Sequence, residues 1–173
     1  QNFHQQLWHR VLGAPLEKDR YEIGELFDRI AEIRVEQHLP SGKVLLNMQY
    51  GDSGRFQLYL RNPDGVWHRI ADYGDKLVQG TFLDQDHLLV LSRKGAPRGS
   101  FKRMDISKLP ETSLSPVVAE SDETLASDFY GDPTFIVHKG KIYAKTLLGG
   151  PQELRIFDLN GEPQSAPPME VAG

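Results

Sequence analysis

The chain contains no cysteine. A disulfide framework and a thiolate metal site are therefore excluded, and the compartment is left open between cytoplasm and periplasm. Long apolar runs are also missing. None approaches the roughly 18 residues that a membrane helix needs, and no basic stretch followed by an apolar segment marks a signal peptide. Charge of one sign is lacking too: 20 Lys and Arg stand against 24 Asp and Glu, a net charge of −4 over 173 residues. Cations scattered through a mildly acidic chain speak against a nucleic-acid partner. Helical periodicity is scarce. Its best instance is Glu22 to Ile33, where Ile23, Leu26, Phe27 and Ile30 follow i, i+3, i+4, i+7, with Gly24 inside the pattern.

What is present is a succession of short strands and turns. Sixteen glycines and 11 prolines supply the turns, and 39% hydrophobic residues supply a core. From Ile30 the strands come in groups of four. Ile30 to Gln37, Lys43 to Tyr50, Arg55 to Arg61 and Val66 to Tyr73 are separated by Pro40-Ser41-Gly42, Gly51-Asp52-Ser53-Gly54 and Asn62-Pro63-Asp64-Gly65. A second group runs Leu77 to Leu83, His87 to Arg93, Ser100 to Ile106 and Ser115 to Glu120. A third runs Thr134 to His138, Lys141 to Leu148, Gln152 to Leu159 and a weak Ser165 to Val171.

Two sets of turn landmarks test the repetition. Gly42, Asp86 and Gly140 are separated by 44 and then 54 residues, and so are Gly51, Gly95 and Gly149. The 10 extra residues fall most simply in the loop-rich Lys108 to Asp132 stretch. Gln6-Leu7-Trp8-His9-Arg10 echoes Gln57-Leu58-Tyr59-Leu60-Arg61 at an offset of 51, which marks an incomplete unit at the start. A repeat of about 40 to 50 residues with four strands is the signature of a β-propeller blade. One such sheet exposes two apolar faces, and stacking buries both. A β-sandwich also fits many short strands, but the matched intervals favour the propeller.

The fold expected is all-β: an incomplete propeller of about three four-stranded antiparallel blades plus part of another. The units are a remnant at 1–28 and blades at 29–75, 76–122 and 130–173. A ring of about four to eight blades cannot close from these. Together with the start at Gln1, this makes the chain read as a piece of something longer, with exposed edges and marginal stability or association.

Specific segments resemble the propeller of the prolyl oligopeptidase family. Gly13-Ala14-Pro15-Leu16-Glu17-Lys18-Asp19-Arg20-Tyr21, after His9-Arg10, looks like that family's strand end and connection "HRLGT…ED". Ser41-Gly42-Lys43-Val44-Leu45-Leu46 resembles the turn and strand "DGRYVLLS". Leu91-Ser92-Arg93-Lys94-Gly95-Ala96-Pro97 resembles a segment with Arg or Lys before "AP", and Gly149-Gly150-Pro151-Gln152-Glu153-Leu154-Arg155-Ile156-Phe157-Asp158 resembles its later "L-x-L-x-D-L" strand. The order and spacing of these pieces carry the resemblance over most of the chain. It implies a two-domain, bacterial-type serine peptidase. A propeller gates short peptides to a C-terminal α/β-hydrolase domain that holds a Ser-Asp-His triad.

The residues themselves carry no catalytic constellation. The nucleophile motif G-x-S-x-G is absent. Gly51-Asp52-Ser53-Gly54 mimics a trypsin-like serine motif, but its residues suit a hairpin turn. The six histidines, His4, His9, His38, His68, His87 and His138, form no tight ligand pair, and Asp84-Gln85-Asp86 lacks the calcium-loop spacing. No metal and no cofactor is expected. Glu120, Asp122, Glu123 and Asp128 are read as decorating a solvated loop between blades. Trp8, Trp67, Phe56, Phe82, Phe135 and Phe157 are read as core between blades.

Two positions are candidates for facing substrate. Arg93, beside Lys94 and Arg98, sits on a cationic loop suited to a peptide carboxylate. Gln49 occupies the place where relatives in "LLSxREG" carry an Arg toward the substrate channel. Gln keeps hydrogen bonding and loses the charge. The expected partners are a peptide substrate, through the parent enzyme, and the hydrolase domain. A non-enzymatic propeller that binds a protein or peptide is the alternative, although no Trp-Asp or Gly-His signature supports it. A carbohydrate-active propeller ranks last, because few paired carboxylates fall on inner strands.

Overall fold

The computed structural model describes residues 3–131, 133–150 and 152–167. It consists of antiparallel sheets in series. β1 (Leu7–His9) pairs with β2 (Arg20–Ile23) in a two-stranded sheet. β3 (Ala31–His38), β4 (Lys43–Tyr50), β5 (Phe56–Arg61) and β6 (Trp67–Ala71) form a four-stranded meander in chain order. β7 (Leu77–Phe82), β8 (His87–Ser92), β9 (Ser100–Lys108) and β10 (Glu111–Val118) form the next.

The last sheet holds β11 (Thr124–Leu125), β12 (Phe135–His138), β13 (Lys141–Leu147), β14 (Gln152–Asp158) and β15 (Pro163–Gln164). β14 takes one edge of β13, while β11 and β12 pair with opposite ends of the other. This is a partial propeller, and its sheets do not close into a ring.

Burial decides between stacked blades and a sandwich. In a two-layer sandwich one face of each strand meets solvent, so burial alternates. Leu45 through Gln49 of β4 are all buried, as are Leu88 through Ser92 of β8. The second strand of each of these two four-stranded sheets is thus covered on both faces. Three separate cores correspond to three interfaces. Leu46 and Met48 pack with Leu7 and Ile23 of the two-stranded sheet. Leu45, Leu58 and Leu60 pack with Phe82, Leu88, Val90 and Met104. Leu89, Leu91 and Phe101 pack with Phe135, Ile142 and Ala144.

Several expectations are corrected. Glu22 to Ile33 is not a helix: it is the end of β2, two turns, and the start of β3. Gly24 adopts φ 129°, and a Cβ there would lie 2.7 Å from the Cα of Gln6, so the chain crosses its neighbour where a helix would need a side chain. Leu26, counted on the apolar face, is 98% exposed. The last outer strand lies at Pro163–Gln164, ahead of Ser165 to Val171, and residues 168–171 fall outside the described ones. β10 begins at Glu111, ahead of Ser115, and β11 lies inside the stretch read as loop and ahead of residue 130. Phe56, Phe82 and Phe135 are core, whereas Trp8 is 53% exposed.

Apolar packing is supplemented by a polar clamp. Asn47 of β4 is buried, and its side chain reaches the next sheet. The Gly80 N–H donates to Asn47 Oδ1 at 2.8 Å, and Asn47 Nδ2 donates to the Gly80 carbonyl at 3.3 Å. A Cβ at residue 80 would sit 3.3 Å from Val90 and 3.5 Å from Leu45, so glycine permits this approach. Replacing Asn47 with Ala leaves both backbone groups buried and unpaired, at about 1–3 kcal/mol each. The expected loss for Asn47→Ala is about 2–4 kcal/mol, read from the chemical denaturation midpoint. A loss below about 0.5 kcal/mol would show that the clamp is incidental.

Candidate functional site: the cleft of the inner strands

β3, β7 and β12 stand innermost in their sheets, and their residues converge on a cleft of about 460 Å³. Arg34, Val35 and Glu36 form one wall, Gln79, Gly80 and Thr81 the second, and Phe135 and Ile136 the third. Alternation along β3 places Glu32, Arg34 and Glu36 on one face.

These polar groups are tied to neighbouring sheets. The Glu36 carboxylate accepts from Thr81 Oγ1 at 2.9 Å and from the Phe82 N–H at 3.3 Å. Burial pushes the Glu36 carboxyl above its ordinary value, opposed by those two bonds. Arg34 donates to the Gly131 carbonyl at 3.0 Å and lies over the Phe129 ring at 5.7 Å. Gln79 donates to the Asp128 carbonyl at 2.8 Å. Arg34 and Gln79 thus hold the segment between β11 and β12 against the cleft.

The two residues selected from sequence lie elsewhere. Gln49 is buried at the end of β4, and its Nε2 donates to the Gly51 carbonyl at 2.6 Å. It borders a second cleft of about 260 Å³ with Asp52, Phe56, Asp128, Phe129 and Tyr130. There Tyr130 Oη donates to Asp52 at 3.3 Å. Arg93 does not line that cleft. Its guanidinium donates to the carbonyls of Leu125 at 2.7 Å and Pro97 at 3.1 Å, and burial lowers its pKa. It fastens β11 to the end of β8. Lys94, by contrast, is exposed and 3.9 Å from Asp75.

Other sequence candidates resolve into structural parts. Ser53 accepts the Arg55 N–H within a turn, and Gly54 is left-handed at φ 68°. Asp84 accepts from the Asp86 N–H and meets His87, as a turn acid does. His38 stacks on Phe82 at 5.1 Å and meets Ser41 Oγ at 2.8 Å. Among the described residues no group of His, Asp and Glu is arranged to hold a metal ion.

Glu123 corrects the reading of a solvated acid. Arg155 donates to it through Nε at 2.8 Å and again through Nη2, which lowers its pKa. Arg34, Glu36 and Gln79 were missed as site residues. The polar alternation of β3 was the available signal.

No family model and no curated protein matches the sequence. Solved structures do match. One, described as a structural and mechanistic analysis of two prolyl endopeptidases, aligns over 97% of this chain at a TM-score of 0.75 and 19% identity. Prolyl oligopeptidase B from Galerina marginata aligns over 92% at a TM-score of 0.75 and 14% identity, both as apo protein and bound to a 35mer hydrolysis and macrocyclization substrate. The chain spans about a quarter of the length of these structures, 24%, 23% and 22% respectively.

The rise in the Glu36 pKa has a measurable consequence. A carboxyl whose folded value exceeds its unfolded value holds its proton better when folded. Its contribution to stability is therefore greatest at low pH and is lost as pH rises through the folded value. Glu36→Gln keeps an acceptor for Thr81 and Phe82 and removes the titration. The melting temperature of Glu36→Gln should gain on that of wild type as pH rises above the ordinary glutamate value of about 4.5, and parallel curves would contradict the assignment.

At these identities the likeness is one of fold: the chain has the fold of a segment of the prolyl oligopeptidases.

Proposed function

We propose that this chain is the non-catalytic propeller segment of a prolyl oligopeptidase-like serine peptidase. In this reading it limits peptide access to an α/β-hydrolase domain that these residues do not contain. The observation that carries the reading is the match over 92–97% of the chain to peptide-processing enzymes about four times as long. The lack of G-x-S-x-G supports it, because acyl transfer then needs a nucleophile from another domain.

The inner-strand cleft suits a gate. Its walls are apolar at Val35, Phe135 and Ile136, and its polar groups are committed to neighbouring sheets. Passage through such walls is governed by width and by the firmness of the inner strands. We assign Gln49 to meet substrate through the second cleft, as a neutral hydrogen-bonding group. Arg93 contributes by fixing Leu125. The third blade then begins at Thr124, with β11.

The coding sequence tests the reading. A G-x-S-x-G followed by Asp and then His downstream is expected, and further four-strand repeats without a hydrolase domain would instead favour a non-enzymatic binding module. The purified 173-residue chain should show no turnover of a Z-Gly-Pro substrate. Turnover that persists through purification would overturn the claim that the chemistry lies elsewhere.

A further inference from the structure

The inner strand of the last sheet is split by an excursion, whereas β3 and β7 run through. β11 ends on Leu125, opposite Thr146 of β13, and β12 begins on Phe135, opposite Ala144. One residue of β13, Lys145, lies between those positions, and it holds both broken ends. The Ala126 N–H donates to the Lys145 carbonyl at 2.9 Å, and the Lys145 N–H donates to the Thr134 carbonyl at 2.8 Å. Residues 127–131 leave the sheet here, inside the stretch to which the landmark intervals assign 10 extra residues. An excursion whose ends meet on one residue has the form of an Ω-loop.

Its root and its tip are held differently. At the root, the Leu125 N–H donates to the Arg98 carbonyl at 2.8 Å, and the Leu125 carbonyl accepts from Arg93 at 2.7 Å. The tip is folded on itself: Asp128 Oδ1 accepts the N–H groups of Tyr130 at 2.9 Å and Gly131 at 3.2 Å. Folded in this way, it passes β7, where Gln79 meets the Asp128 carbonyl, and lands on the sheet of β3 to β6. There the Phe129 and Phe56 rings pack with centroids 5.7 Å apart, Arg34 donates to the Gly131 carbonyl, and Tyr130 Oη donates to Asp52. Phe129 is buried, and the other four residues of 127–131 are exposed. The tip thus ties together two sheets that are not neighbours, through one apolar anchor and three side-chain hydrogen bonds. All four contacts can part without breaking a strand ladder, and segments with so few buried contacts open at low cost.

The excursion also stands at both clefts. Ser127 to Tyr130 wall the cleft of about 260 Å³ beside Gln49, and Pro133 walls the cleft of about 460 Å³. Arg34, which holds the Gly131 carbonyl, belongs to the larger one.

We infer that residues 127–131 form a strap that swings on the Lys145 root. Latched by Phe129 on Phe56, it partitions the two clefts. Released, it joins them into one passage along the inner strands, so the latch sets the length of guest that the inner face admits. The strap is a motion of this chain and serves a propeller of any function, so it goes beyond the gating reading and stands or falls apart from it.

The chain has no cysteine, so a single introduced thiol reports alone. Gln49→Cys places one at a side chain that is 6% exposed and walls the smaller cleft beside Phe129. Ser92→Cys places the other at a fully buried, nearly isosteric site in β8, where it reports opening of the sheets themselves. Each is introduced into the full chain, and its reaction with 5,5′-dithiobis(2-nitrobenzoate) is followed. The thiol at position 49 should react at least about tenfold faster than the thiol at position 92. Phe129→Ala should speed position 49 by a further factor of about ten or more and leave position 92 unchanged. Tyr130→Phe, which removes only the bond to Asp52, should speed position 49 about threefold.

Equal rates at the two positions would overturn the inference, because general unfolding alone would then uncover the cleft. So would a Phe129→Ala variant that speeds both positions alike, or neither. If Phe129→Ala fails to fold, the two rates in the otherwise unchanged chain and the effect of Tyr130→Phe decide.

Discussion

A propeller's innermost strand has a hydrogen-bonded partner on one edge only, and the fate of its other edge governs this structure. A buried N–H without an acceptor costs about as much as several apolar contacts return. Here the open edges of β3 and β7 are closed by side chains from the segment or sheet that precedes them. Asn47 pairs with both backbone groups of Gly80, Glu36 accepts from Phe82, and Gln5 Oε1 accepts the Ile33 N–H at 3.1 Å. Each bond satisfies an inner strand and fixes the position of one sheet on the next. It also blocks the edge against pairing with another chain.

The same bonds determine what the cleft can do. Arg34, Glu36 and Gln79 would read as a polar binding set if only their identities were known. Their hydrogen bonds to Gly131, Thr81, Phe82 and Asp128 commit them to holding strands and loops in place. Of the remaining lining, Asn47 and Thr81 are committed likewise, to Gly80 and Glu36, and Val35, Pro133, Phe135 and Ile136 are apolar. Such a cleft sorts by shape more than by charge.

Much of this architecture was legible in the residues. β4 and the strands around it follow from aliphatic runs between Gly, Pro, Asn and Asp turns, and the equal landmark intervals revealed the sheet repeat. The errors share a cause. Ile23, Leu26, Phe27 and Ile30 imitate a helical stripe, but Gly24 lies where the chain passes within contact of Gln6, and only the tertiary crossing reveals that. β11 is two residues long and exists because β13 and Arg93 hold it, so no local pattern announces it. Arg93 as a residue was visible, whereas the destination of its guanidinium depended on a strand 32 residues away. Trp8 read as core because large aromatics on strands dominate cores, and the two-stranded sheet leaves it half open.

The central claim is that side chains of one sheet close the inner strand of the next. Amide hydrogen exchange, followed residue by residue by NMR, tests it most directly. Ile33, Gly80 and Phe82 donate only to side-chain acceptors across an interface. The account requires these amides to exchange as slowly as those of the strand ladders beside them. Exchange at the rate of exposed turn amides would mean that the clamps are open in solution, and the sheets would then be held by apolar packing alone.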